Sequence, residues 1–456
     1  MMQTLLYTIV GITAVISIVL SPKTCSEHSF FSGLSPDGKQ PSAFTLTFSQ
    51  VTTWIFARSL MNAAILGYYY GIWGTLAYAG YYLSFLTGWK IIDGIRFKQG
   101  FESLHAFLHQ RFGRVGVSCY NVVVIIRLIS EVFANLLVVG ILFGVAGSNM
   151  YAIAIIGFSA VVLFYSMLGG LQASLKTDVF QMSMFIVVLA LLLLSVFDSG
   201  QFSFADLQFI PFEIGQPGPV LLLVAFLQIW SYPMHDPVMM DRGFLADRVT
   251  TKKSFLHATW ISIICIVVFG CLGVLAGANA LEGDDMNAVL LRMLGEWPML
   301  LLSLALIVSA MSTLDSSLSS ASKLIALDMK LISPSVLNGR LVMLVFMLLG
   351  LLCVFWGNKD LFSAVAVSGT ASLFLAPVVF FSIFANKDNV PVWSLLVSFV
   401  FAIIGATIYF LESSGYTAWL GDIHKYTKLL YISVFVLITG CAAFWVGMKT
   451  NRLNAW

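Results

Sequence analysis

Apolar runs recur along nearly the whole chain, each close to the roughly 20 residues that a helix needs to cross a bilayer core. They fall at 2–20, 43–66, 72–94, 119–145, 149–168, 175–197, 218–239, 256–279, 298–325, 338–356, 361–384, 392–411 and 427–447. This predicts an all-α polytopic membrane protein of about thirteen transmembrane helices, read as one transporter-sized domain spanning 1–456. The polar joints are short; the longest are 22–42, 95–118, 198–217 and 280–297. A β-barrel is excluded, because barrel strands alternate apolar and polar residues over about ten positions. Composition agrees: 59% of the 456 residues are apolar and 10% are charged, against roughly half and a quarter in soluble domains.

Charge then sets an orientation. Lysine and arginine concentrate in short cytoplasmic loops. With the N-terminus outside, 18 of the 24 basic residues fall on the inward side, Arg242 and Arg248 among them, and four fall outside. The last two, Arg58 and Arg127, lie within predicted spans. The first apolar run has no basic residue before it and no small-residue cleavage pattern, so it reads as a retained helix and not a secretory leader. Six cysteines form no C-x-x-C pair or metal spacing, so neither a disulfide nor a metal centre is expected.

Ionisable and hydroxyl residues inside spans are functional candidates because burying them in hydrocarbon is expensive. The second span carries Arg58, Ser59 and Asn62, and the fourth carries Arg127, Glu131 and Asn135. The sixth opens with Asp178 after Gly169-Gly170. In the ninth, Ser309, Ser312, Ser316 and Ser320 share a helical face, with Thr313, Asp315 and Ser317 beside them. Hydroxyls and freed carbonyls suit a hard cation; small hydroxyl residues also let helices approach and bond across an interface. Both readings fit the stripe. The seventh span ends in Pro233-Met234-His235-Asp236-Pro237. Two prolines four residues apart predict either a kink or a broken helix that lines a site. Arg127 and Glu131, four apart, can pair on one face, with Arg58 as a third member.

These segments together resemble the sodium/solute symporter family of proline, glucose and sialic acid transporters. Thr52-Thr53-Trp54-Ile55 with Tyr68-Tyr69-Tyr70-Gly71 is similar to that family's first core helix, and Gln110-Arg111-Phe112-Gly113 to its loop motif. Gly169-Gly170-Leu171 with Thr177-Asp178-Val179-Phe180-Gln181 resembles a third motif. Ser312-Thr313-Leu314-Asp315-Ser316, followed by Asp328, resembles a fourth. The resemblance implies a LeuT-type fold with inverted five-helix repeats at 43–197 and 218–384. An extra N-terminal helix and loop occupy 1–42, and two C-terminal helices occupy 385–456. It implies a sodium site from the carbonyls of Thr52, Ile55 and Ser309 and the hydroxyls of Ser312 and Thr313. A second sodium position would use Asp178, Asp315 and Ser316. Substrate would face Phe56, Ser59, Asn62, Glu131, Gln228, Trp230, His235 and Asp236. The chain departs from the pattern at Phe56, where the family has a small polar residue. It also has no Gly or Pro between Thr52 and Leu66 to ease unwinding. Phe56, Arg58 and Glu131 speak against a sugar-type pocket.

The expected activity is sodium-coupled symport of a small organic solute across a cell membrane. Sodium is the coupling ion, and no cofactor, nucleic acid or obligate protein partner is expected. Two alternatives stay open. One is proton coupling through His235, Asp236 and Glu131; the other is a transporter-like sensor or regulator. A membrane enzyme lacks support, since no metal-ligand cluster, G-x-S-x-G elbow or phosphate loop is found.

Overall fold

The computed structural model describes residues 2–22, 26–33, 38–208, 210–356 and 361–453. Lys23 and Lys359, among the basic residues counted above as inward and outward, and Cys25, one of the six cysteines, lie outside them. The described residues form helices throughout, without strands. In chain order they are α1 (Met2–Leu20), α2 (Glu27–Ser32), α3 (Ala43–Trp54), α4 (Ala57–Gly80), α5 (Ser84–Ile92), α6 (Leu104–Phe143), α7 (Asn149–Asp198), α8 (Pro217–Gln228) and α9 (Pro237–Gly243). There follow α10 (Arg248–Ala278), α11 (Met286–Leu294), α12 (Glu296–Lys323), α13 (Val336–Trp356), α14 (Leu361–Ser372), α15 (Leu375–Pro377), α16 (Val392–Ser413) and α17 (Lys425–Leu453).

Helix covers every predicted apolar run, but not as thirteen separate rods. Among the described residues seven helices are long and apolar enough to cross a bilayer alone, and an eighth crossing is available from a pair bent by 45° around residue 373. The runs at 43–66 and 218–239 are each split by a break, α3/α4 and α8/α9. Conversely, α7 carries two predicted spans joined at Gly170, whose φ is +55°. A Cβ there would run into the backbone oxygen and ring of Phe30, so glycine is required both by the left-handed conformation and by the close approach of α2. The helix α6 likewise breaks at Gly113, and α4 at Tyr70-Gly71.

Apolar side chains on α7, α13 and α17 point outward, among them Leu194, Leu341 and Ile438. A face of that kind suits lipid. The helix α12 is the opposite case. It is buried almost all round from Leu300 to Ser322 and packs against α7, α6, α13 and α3. Its hydroxyl stripe therefore faces protein. The α4–α10 contact is a close one: a Cβ on Gly273 would overlap the backbone carbonyl of Ala64, and one on Gly67 the carbonyl of Gly270. Small residues permit this approach.

Candidate ion and solute site

Two helix breaks meet at the centre of the bundle. The helices that lead into them, α3 and α8, are each 12 residues long. The second break, between Ile229 and Asp236, follows from its prolines: Pro233 sits in a short 3₁₀ turn and Pro237 opens α9. The first, at Ile55 and Phe56, has ψ values of 71° and 150° with neither Gly nor Pro. Side chains hold it open instead. Asn135 Oδ1 accepts from the Ala57 N–H at 3.1 Å, Tyr82 donates to the Trp54 carbonyl at 2.8 Å, and Ser309 donates to the Ile55 carbonyl. The second break is treated alike. Thr87 donates to the Ile229 carbonyl at 2.6 Å, Tyr120 to that of Met234 at 2.9 Å, and His235 Nδ1 to that of Tyr232 at 2.6 Å. Freed backbone groups inside a membrane protein need such partners.

A charge network joins the breaks. Arg127 pairs with Glu131 and, at 2.9 Å, with Asp236. Asp236 also accepts from Trp54 Nε1 at 3.0 Å and caps α9 through the Met239 N–H at 2.9 Å. Ser317 donates to Glu131 Oε2 at 2.9 Å. All four of Arg58, Arg127, Glu131 and Asp236 are fully buried. Phe56 lies close to the Arg58 and Arg127 guanidinium groups, with their carbons 5.4 Å and 5.3 Å from its ring centre. Beside it, Trp54, Tyr78, Tyr81, Tyr82 and Tyr232 close around a cavity of about 20 Å³, room for one water centre. The residues that line it are buried.

On α12, Ser309, Thr313 and the Ile55 carbonyl come together: the Thr313 hydroxyl donates to the Ser309 carbonyl at 3.0 Å. Thr52 is buried in the last turn of α3, where carbonyls lack intrahelical donors. The Ser312 hydroxyl turns the other way and donates to Asp178 Oδ1 at 2.7 Å. It thereby links this group to a second one, in which Asp178 also accepts from Ser49 at 2.6 Å. Asp315 there accepts from Thr177 at 3.0 Å and Ser174 at 3.1 Å.

Several sequence expectations change. Arg242, assigned above to a cytoplasmic loop, is fully buried and enters this second group: it donates to Ser316 at 2.8 Å and Ser49 at 3.0 Å, and lies 3.4 Å from Asp178. A count of basic residues places every arginine beyond an apolar run in a loop; here the Pro237 restart carries the chain inward as α9. Its guanidinium supplies a positive charge where a second sodium was expected. Trp230 is not with the other substrate candidates. It is 36% exposed and packs on Phe380 and Phe384. His235 is a hydrogen-bonded interior histidine, with Nε2 3.1 Å from Ser368 Oγ. Ser59 accepts from Tyr78, and Gln228 from Tyr81, both near the cavity. Asn62 is buried one turn beyond Arg58, with its amide nitrogen unpaired among the described residues.

Comparison with known proteins adds two findings. The family model "Sodium:solute symporter family" matches residues 37–208. A search of curated proteins finds no match. Among solved structures, a Na+-coupled sialic acid symporter in its substrate-bound outward-open state is similar with TM-score 0.72 at 16% identity, covering 98% of each chain. Mhp1, a nucleobase-cation-symport-1 family transporter, in a closed conformation with bromovinylhydantoin bound, gives TM-score 0.58 at 13% identity, covering 92% of this chain and 97% of that one. The Eremococcus coleocola manganese transporter gives 0.53 at 14%, covering 90% and 94%. Such different cargoes on one architecture mean that the fold alone does not name the solute. Over residues 37–208 the chain carries the sequence pattern of the sodium:solute symporter family, and over nearly its whole length it has the LeuT-type transporter fold.

Proposed function

We propose that this chain is a secondary active transporter that couples the entry of a small organic solute to sodium by alternating access. One observation carries the reading. The first core helix is unwound at Ile55–Phe56 directly against the hydroxyl stripe of α12, with Ser309 bonded to Ile55 and Thr313 to Ser309. Carbonyls of Thr52, Ile55 and Ser309, with hydroxyls of Ser312 and Thr313, are the ligand set a hard monovalent cation takes. Binding would draw Ser312 from Asp178, so the ion site and the Asp178–Arg242 group act on each other. Phe56, Ser59, Asn62, Glu131, Gln228 and Asp236 then face the solute. Trp230 drops out of that set and His235 supports the break. The equal 12-residue lead-in helices support repeats at 43–197 and 218–384. An outside N-terminus and a cytoplasmic C-terminus belong to the same proposal. Cysteine labels near residues 100 and 205 reaching from one side would reject it.

One sodium crossing 100 mV contributes about 2.3 kcal/mol, enough to concentrate a neutral solute roughly fifty-fold. Uptake of a solute panel into proteoliposomes tests the coupling. A sodium gradient is expected to drive accumulation, and a proton gradient without sodium is not. The reverse result would transfer the coupling to protons.

A further inference from the structure

Arg58 differs from every other buried charge in the core. Arg127 holds two carboxylates and Arg242 holds Asp178 with three hydroxyls. Arg58 is equally buried, yet its Nε, Nη1 and Nη2 have no hydrogen-bond partner among the described residues. Its guanidinium carbon lies 5.4 Å from the ring centre of Phe56. A guanidinium carries donors only, so what it lacks is an acceptor. Leaving such a charge buried and unpaired is strongly unfavourable. The neighbouring atoms left over on Arg127, Nε and Nη1, are donors as well.

Resting on the symport reading above, we propose that Arg58 is the anchor for the acid group of the transported solute, and that the cargo is a small organic monocarboxylate with an apolar or aromatic body. A carboxylate matches the guanidinium fork with two parallel hydrogen bonds. One negative charge is the right number. Arg58 and Arg127 together balance Glu131 and Asp236, so with the coupling sodium bound one anionic charge keeps the site neutral and a second would be left uncompensated. The position favours an anion independently. Arg58 is the second residue of α4, whose N-cap residue Phe56 makes no side-chain cap although Asn135 takes the Ala57 N–H, and the leading N–H groups of a helix attract negative charge. Trp54, Phe56, Tyr78 and Tyr232 offer the body of the solute aromatic faces.

The test measures the thermal midpoint of the purified full-length protein in sodium chloride. Matched probes are acetate, benzoate and phenylacetate against their primary amides, within a wider panel of neutral, cationic and anionic metabolites. Carboxylates are expected to stabilise in a sodium-dependent way and the amides not. Arg58→Gln should raise the half-stabilising carboxylate concentration about tenfold or more, while Arg58→Lys, which keeps the charge, loses less. Sodium alone should still stabilise both variants, which shows that they fold. One sodium with one monoanion carries no net charge, so uptake of the hit should ignore membrane voltage. Stabilisation by neutral or cationic solutes alone, or a carboxylate response unchanged in Arg58→Gln, overturns the inference and leaves symport standing. The same holds if sodium stabilises and no anion does. If neither sodium nor any solute stabilises the wild type, the symport reading falls with it.

Discussion

Arg127 holds Glu131 and Asp236 together in a region closed to water. The i, i+4 spacing made the Glu131 half of this visible in the sequence. The Asp236 half was hidden because it spans 109 residues of chain. The difference alters what mutation should do. Glu131→Gln leaves Arg127 paired with Asp236 and should cost less than Arg127→Gln, which strands two carboxylates. Breaking a buried pair costs about 3–5 kcal/mol, so Arg127→Gln belongs at or above the top of that range. In the double variant only part of the loss should return, because Asp236 still lacks its partner. Thermal unfolding of the three proteins measures this; full recovery in the double variant would mean that Asp236 does not depend on Arg127. Ser317 has the same lesson. Its place beside the serine stripe suggests a bystander, but it bonds to Glu131. Ser319 donates only to the Asp315 carbonyl of its own helix and is the better neutral position.

At the scale of elements, the two breaks differed in how far the sequence announced them. Pro233 and Pro237 remove donors and force the second. The first has neither Gly nor Pro to mark it, and the interruption is held by Asn135, Tyr82 and Ser309 from three other parts of the chain. Tertiary bonds of this sort leave no mark on local propensity. The α4–α10 seam was equally silent, since glycines in apolar helices read as neutral until a neighbour's backbone lies against them. Gly273→Ala would push a methyl group into the Ala64 carbonyl. Overpacking costs about 1–3 kcal/mol in ordinary cores, and backbone cannot swing aside as a side chain can. The thermal midpoint should fall clearly, whereas Gly157→Ala, which meets nothing within 4 Å, should not lower it. Equal effects would show the seam to be loose.

For the whole molecule, apolar length and the short motifs were sufficient for the fold class, though not for thirteen separate spans, because a bilayer constrains span length and the motif residues lie at the breaks and turns. Side-chain destinations were not: Arg242 went to the core and Trp230 to the periphery, and nothing in hydropathy separates those outcomes. The central claim is that sodium binds where the broken first core helix meets α12. A sodium titration of thermal stability tests it most directly, at constant ionic strength against potassium chloride, on wild type, Thr313→Ala and Ser319→Ala. A ligand bound by the native state raises its stability in a saturable way. Wild type and Ser319→Ala are expected to rise with sodium and not with potassium. Thr313→Ala should need about tenfold more sodium for half the effect, equivalent to about 1.4 kcal/mol for one lost ligand. Equal responses to sodium and potassium, or a Thr313→Ala titration that overlays wild type, would contradict the account.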